Sequence, residues 1–192
     1  MLLDKLADIS TGLVIQRKEA LIEHEVEKKY HMLTLKSFNE FGWINKNDIE
    51  EFNSNEILDD RYLSKVGDVI IRLTAPYTAL PIHKEFAGFV VPSQFCIIRV
   101  KSKKFLPEYL AFALNAEIIK NKFIRSSLGA TIPVIRMGAL KDTEIPLIDL
   151  EKQKKISIIR SLMIKDKRLR MDLSNEIDKM NKQIELQLLN LY

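Results

Sequence analysis

LEKQKKISIIRSLMIKDKRLRMDLSNEIDKMNKQIELQLLNL, residues 150–191, contains no glycine or proline and repeats its apolar residues every seven positions. Placing Ile156 at heptad position a makes Met163, Arg170, Ile177, Ile184 and Leu191 the later a residues, with Ile159, Asp166, Leu173, Met180 and Gln187 at d. Eight of these eleven are apolar, and a seam held over five heptads predicts a coiled coil rather than an ordinary surface helix. At about 1.5 Å per residue the rod is roughly 60 Å long, more than the preceding domain can cover, so part of its seam requires a partner. The chain is therefore expected to divide into a globular domain over residues 1–149 and an assembly helix over residues 150–192.

The remaining residues suffice for one domain with a real core. Cys96, the single cysteine, lies in the apolar run Phe95-Cys96-Ile97-Ile98, where a reduced core thiol is expected. Met1-Leu2-Leu3-Asp4 lacks the basic and apolar regions of a signal peptide, and no apolar run approaches the ~18 residues of a membrane span. The expectation is a cytoplasmic protein with no membrane partner. The net charge of +4 hides an asymmetry: −6 over residues 1–60, +9 over 61–141, −3 over 142–150 and +4 over 151–192. The basic middle is either a phosphate-facing surface, which gains by counterion release, or a solvated face.

A pass along the domain predicts a mixed α/β (α+β) fold. Tyr30 to Leu35 reads as a short strand followed by a turn at Phe41-Gly42-Trp43-Ile44, and residues 45–60 as a polar surface connection. Val69-Ile70-Ile71-Arg72-Leu73 reads as a buried strand entered through the turn Val66-Gly67-Asp68. Residues 75–86, with Pro76 and Pro81, read as a loop; Phe89-Val90-Val91 and Phe95 to Val100 read as further strands. Pro107 opens a helix predicted to reach Ile119, with Leu110, Ala113, Leu114 and Ile118 inward. Residues 126–135 read as a loop.

Catalytic chemistry finds no seat. His24, His31 and His83 show no metal-ligand spacing, and no GxSxG elbow, P-loop or GxGxxG is present. Glu27-Lys28-Lys29, the string nearest to a nuclease motif, reads as an exposed helical stretch. The expectation is a non-catalytic protein with no metal and no cofactor of its own.

Four strings, in order, resemble one family. Leu63-Ser64-Lys65-Val66-Gly67-Asp68-Val69-Ile70 looks like the strand entry of target recognition domains in type I restriction-modification specificity (S) subunits. Phe105-Leu106-Pro107-Glu108-Tyr109-Leu110 resembles that family's helix entry, and Ser127-Leu128-Gly129-Ala130-Thr131-Ile132-Pro133, followed by Leu140, its glycine loop. Ile145-Pro146-Leu147 with Leu150-Glu151-Lys152-Gln153-Lys154-Lys155-Ile156 is similar to the entrance of its conserved-region helix. The resemblance implies a half-length form with one target recognition domain, either pairing with itself or a truncated or silent-cassette product. It also implies binding to double-stranded DNA and docking to a methyltransferase (M) subunit that supplies S-adenosylmethionine. A restriction (R) subunit joins where the system has one. The alternative is a coiled-coil adaptor that occupies the methyltransferase docking site without reading DNA.

Loops on a rigid scaffold carry recognition chemistry, and two loops combine bases with hydroxyls. One offers Arg72, Thr74, Tyr77, Thr78 and Lys84; the other Arg125, Ser126, Ser127, Thr131 and Arg136. Arg reads guanine bidentately, Gln94 is suited to adenine, and the hydroxyls to phosphate. The competing reading has Arg72 and Tyr77 supporting packing and Thr74 and Thr131 satisfying turns. Lys101, Lys103 and Lys104 form either a phosphate-facing or a merely solvated hairpin tip.

For the helix, the seam residues Ile156, Ile159, Met163, Asp166, Arg170, Leu173, Ile177 and Met180 predict an antiparallel homodimer centred near Arg168. A parallel pair sets like charges together at Asp166 and at Arg170, whereas an antiparallel one sets Asp166 against the partner's Arg170. An i, i+4 pair along one helix is the competing reading, and it leaves the register open. The antiparallel arrangement attaches two domains roughly 50 Å apart and implies a palindromic, interrupted site. Leu162, Leu169 and Leu188 lie off the seam and are the expected methyltransferase docking surface.

Overall fold

Val69 and Ile71 of one strand face opposite ways from Ile70, and all three side chains are fully buried. That strand is covered on both faces, and the layers follow from it. The computed structural model describes residues 1–126 and 133–189. Its first unit, Met1–Ser157, holds a four-stranded sheet and a two-stranded one. The strands are β1 (Ala7–Thr11), β2 (Lys28–Met32), β3 (Glu50–Ser54), β4 (Asp68–Arg72), β5 (Ala79–Pro81) and β6 (Phe95–Val100). The main sheet has the order β1-β6-β4-β5 and the second is the β2-β3 pair, every pairing being antiparallel. The helices are α1 (Pro107–Leu114), α2 (Glu117–Ser126), α3 (Met137–Lys141) and α4 (Leu150–Leu189).

Val69, Ile71, Cys96 and Ile98 pack with Leu110, Leu114, Phe123 and Leu140 of the helices on one face of the main sheet. Ile70, Phe95 and Ile97 pack with Leu33, Phe38 and Val91 on the other. A third cluster, Tyr30, Met32, Phe52, Leu58 and Val90, sits on the smaller sheet. Cys96 is free and buried, and burial pushes its thiol up to about 12.

Several elements differ from the sequence-based expectation. The strand expected over Tyr30 to Leu35 is β2, and it stops at Met32, because Thr34 and Ser37 bond to one another instead. The Thr34 amide donates to Ser37 Oγ at 3.0 Å and the Ser37 amide to Thr34 Oγ1 at 3.0 Å, a local alternative to ladder bonds. Glu27-Lys28-Lys29 leads into β2 and is not helical. Within the stretch read as a surface connection lies β3. It was hidden because only Phe52 and Ser54 point inward while Glu50 and Glu51 stay exposed. The segment read as a loop contains β5, an edge strand that tolerates Pro81 at its end. Phe89-Val90-Val91 forms only isolated bridges through Val90, to Met32 and Leu63.

The helix expected over 107–119 is two helices, broken by Asn115. Its side chain donates to the Ala79 carbonyl at 2.6 Å and accepts from the Ala79 amide at 3.1 Å, covering the edge of β5. The break shifts the helical phase, so Ile119 is buried and Ile118 is 72% exposed.

The first unit extends past Asp149 to Ser157 because the opening turns of α4 belong to its core. Gln153 is fully buried; its carbonyl accepts from the Leu106 amide at 2.9 Å and its amide donates to the carbonyls of Lys104 (2.7 Å) and Ile148 (2.8 Å). Ile156, expected in the seam, is half-buried against the same core. The second unit, Ile158–Tyr192, is helical as far as α4 is described; Leu191 of the seam lies outside the described residues. Among the described residues no helix is long and apolar enough to cross a membrane.

Candidate nucleic-acid interface

Because β4 and β6 run antiparallel with Arg72 opposite Phe95 and Asp68 opposite Arg99, the main sheet has two distinct ends. The four residue steps from Asp68 to Arg72, at about 3.4 Å each, separate them by roughly 14 Å. The residues expected to touch DNA sort between these ends.

At the Arg72 end several loops are bonded together. The Leu73 amide donates to the Gln94 carbonyl at 2.9 Å, the Ile135 amide to the Leu73 carbonyl at 2.8 Å, and Thr74 bridges Val134. Leu13 is held from the same side, its amide on the Val91 carbonyl and its carbonyl on the Ser93 amide, both at 2.7 Å. Arg72 closes the group: Nη1 donates to the Leu35 carbonyl at 3.2 Å and Nη2 to the Ala75 carbonyl at 3.1 Å. Burial pulls its guanidinium below the usual range, and Glu40 opposes that pull.

Gln94, Arg136 and Lys36 are exposed around this group, with Thr74 half-exposed. Arg125 and Ser126 end α2, which approaches the same turn where Phe123 meets Tyr77 edge-on, ring centres 6.4 Å apart. Arg125 is exposed, and Ser126 donates to the Phe123 carbonyl at 2.8 Å.

Tyr77 and Thr78 are at this end but face inward. Tyr77 is 4% exposed and holds a φ of 56°, a left-handed backbone that packing must sustain in a residue with a Cβ. Thr78 is 1% exposed. Both side chains are buried in the domain. Ser127 and Thr131 lie outside the described residues.

Lys84, Lys101, Lys103 and Lys104 fall at the other end. The Ile82 amide donates to the Asp68 carbonyl and the Gly67 amide to the Ile82 carbonyl, which brings the chain before Lys84 there. A cavity of about 350 Å³ is lined there by Lys65, Arg99, Lys101 and Lys103 among others. Three of its cations are already paired: Lys65 with Asp60, Arg99 with Asp68 and Lys101 with Asp8. Hydrogen bonds from Arg99 to Asp68 raise the guanidinium above its ordinary range.

Sequence reasoning missed Lys36. It is a cation in an acidic segment, and the Arg72–Leu35 bond, together with Phe38 packed on Phe95, brings its loop to the others at this end. Arg72, open from the sequence between reading bases and supporting packing, has two of its nitrogens on backbone carbonyls.

On α4, Ile159, Met163, Leu173, Ile177 and Met180 are each 44–61% exposed, as are the off-seam Leu162, Leu169 and Leu188. Together they form a regular exposed apolar row along the helix. Arg170 donates to Asp166 on its own helix at 2.9 Å, so the two polar seam residues pair along the chain.

Three comparisons bear on this geometry. A model described as the type I restriction modification DNA specificity domain matches residues 2–179. The fold is similar to that of the HsdS subunit from Thermoanaerobacter tengcongensis: TM-score 0.66 at 18% identity, covering 88% of this chain and 43% of that one. The type I restriction-modification S subunit from M. genitalium gives a TM-score of 0.52 at 18% identity, covering 88% and 39%. A chain from a structure concerned with complex assembly and conformational transition of the type I R-M system gives 0.65 at 18% identity, covering 88% and 43%. The chain thus spans about two-fifths of the length of the solved structures it matches. No curated protein is a significant match.

Proposed function

We propose that this chain, which belongs to the type I restriction modification DNA specificity domain family, reads a duplex DNA sequence and performs no chemistry on it. The observation that carries the reading is the group of loops at the Arg72 end. They are cross-bonded to one another on a sheet buried on both faces, and they expose Gln94, Thr74, Lys36 and Arg136 together. Arg125 lies beside them. Lys36, Arg125 and Arg136 have no acidic partner among the described residues; at the other end Lys65, Arg99 and Lys101 are paired with Asp60, Asp68 and Asp8, which leaves Lys84, Lys103 and Lys104. In this reading the Arg72 end, where an amide, a hydroxyl and cations gather on cross-bonded loops, is the one offered to DNA, and Lys101, Lys103 and Lys104 lie outside the main contact.

The helix serves assembly in this reading. Its seam takes a second copy antiparallel, giving a bipartite palindromic site, and Leu162, Leu169 and Leu188 receive a methyltransferase that carries S-adenosylmethionine. The Asp166–Arg170 pair is exposed, and such i, i+4 pairs are worth only about 0.3–0.5 kcal/mol. It exchanges readily for bonds to the partner's Arg170 and Asp166.

Binding of the full chain to random-sequence duplex should weaken linearly with log salt. Replacing Lys36, Arg125 and Arg136 by Ala should flatten that slope by up to about 0.9 for each phosphate that is no longer neutralised. The same replacement of Lys101, Lys103 and Lys104 should leave it nearly unchanged. Flattening by the second set alone moves the DNA to the other end. Copurification with a methyltransferase, without any salt-dependent DNA binding, supports the adaptor reading instead.

The dimer has its own test in a Cys96→Ser background. Met163→Cys combined with Leu173→Cys should cross-link two chains under mild oxidation, and Met163→Cys alone should not. A monomer in solution, or linkage between the two copies of position 163, rules the antiparallel register out.

A further inference from the structure

We infer that Arg72 is a positioning residue that locks two recognition loops into one rigid unit, rather than a reader of bases. The inference rests on the DNA-reading function proposed above. One loop, between β2 and β3, carries Lys36; the other, the turn between β4 and β5, carries Thr74. They come from distant parts of the chain and lie in no common strand. The Arg72 fork spans them, Nη1 on the Leu35 carbonyl at 3.2 Å and Nη2 on the Ala75 carbonyl at 3.1 Å. Each carbonyl is directly beside an exposed or half-exposed candidate for DNA binding, Lys36 in one case and Thr74 in the other.

Three features separate this role from base reading. Of the five guanidinium N–H donors, two are on backbone carbonyls. Nε is buried without a protein partner among the described residues, which closes the Nε edge to side-on pairing with guanine. Finally, the residue stands opposite Thr78 across the β4–β5 hairpin, the Arg72 amide donating to the Thr78 carbonyl at 3.0 Å, so its backbone cannot swing outward without opening the sheet.

A planar fork holds two carbonyls in fixed relation, and an ammonium on a flexible stem does not. Arg72→Lys, which keeps the charge, is therefore the informative variant, with Arg72→Met as its neutral counterpart. Two measurements are made on the full chain. Amide hydrogen exchange without DNA should speed up by at least about tenfold at the bonded amides of both loops, Thr34 and Ser37 in one and Tyr77 in the other, in either variant, while β4 and β6 keep their protection. Selection from a pool of random duplexes should show weaker base preference at every pair read from either loop, with an unchanged salt slope and no rescue by lysine.

Exchange that rises in only one loop, or in neither, overturns the lock. So does loss of preference at a single guanine with exchange unchanged, which makes Arg72 a reader. A salt slope lower by about one in Arg72→Met and restored in Arg72→Lys makes it a phosphate contact. If the wild-type chain enriches no sequence, the DNA-reading function fails, and exchange alone still decides whether Arg72 couples the loops.

Discussion

Gly12→Ala should be among the most damaging single changes in the domain, costing roughly 4 kcal/mol or more. A Cβ built on Gly12 lies 2.2 Å from both the Pro92 and Val91 carbonyl oxygens and 2.5 Å from the Pro92 carbonyl carbon. All three are backbone atoms, so no side chain can rotate aside. They are also fixed by bonds of their own. The Pro92 carbonyl accepts from the Phe95 amide at 2.9 Å, and the Val91 carbonyl accepts from the Leu13 amide at 2.7 Å. Relief requires pushing β1 away from the segment entering β6, the segment that ends in Gln94. Against a total stability of about 5–15 kcal/mol this is a large fraction. The expected result is a strong fall in soluble yield and, in what remains, a thermal midpoint lower by roughly 10 °C or more. A midpoint within ~2 °C of wild type would falsify so close an approach of the two backbones.

Asp68→Ala is the second. Asp68 is 2% exposed, accepts from Arg99 Nε at 2.9 Å and Nη2 at 2.8 Å, and accepts from the Lys65 amide at 2.8 Å. Arg99 also donates to the Leu63 carbonyl at 3.1 Å. Removing the carboxylate leaves a half-buried guanidinium without its counter-charge and an amide without an acceptor. Breaking a buried pair from one side costs about 3–5 kcal/mol, and Arg99, with 31% of its side chain exposed, places this case near the lower figure. At about 2–4 °C per kcal/mol for a chain of this size, the thermal midpoint should drop by roughly 6–12 °C. Arg99→Met added to Asp68→Leu should recover much of that loss, because the pair is then replaced rather than broken. A double variant as unstable as Asp68→Ala would show that the site needs its charges for more than mutual compensation.

Asp68 also explains the Gly-Asp string in the sequence. Gly67 takes a φ of 86°, in the left-handed region open to glycine, and Asp68 then caps the Lys65 amide from inside the sheet. The string was legible as a turn, but its ion pair was not. Arg99 is thirty-one residues away, and only the β4–β6 register sets the two opposite.

What the chain determines by itself is local. Absence of glycine and proline over residues 150–191, with a seven-residue apolar period, fixes α4, since helical bonds close within four residues. Consecutive apolar residues around Ile70 and Ile97 fix β4 and β6, and Pro107 fixes the start of α1. The tertiary structure decided what long-range pairing decides. Glu50 to Ser54 became a strand only because β2 was there to pair with it. Asn115 ended a helix because the edge of β5 needed an amide. The basic middle segment, a single stretch in sequence, was divided between two ends of a sheet. Lys36 joined one of them from an acidic stretch through the Arg72 fork. Ala7 pairs with Val100, and Gly12 is forced to be glycine by carbonyls eighty residues further on. Composition and periodicity report a residue's own neighbours along the chain, whereas these outcomes depend on which backbone arrives from elsewhere.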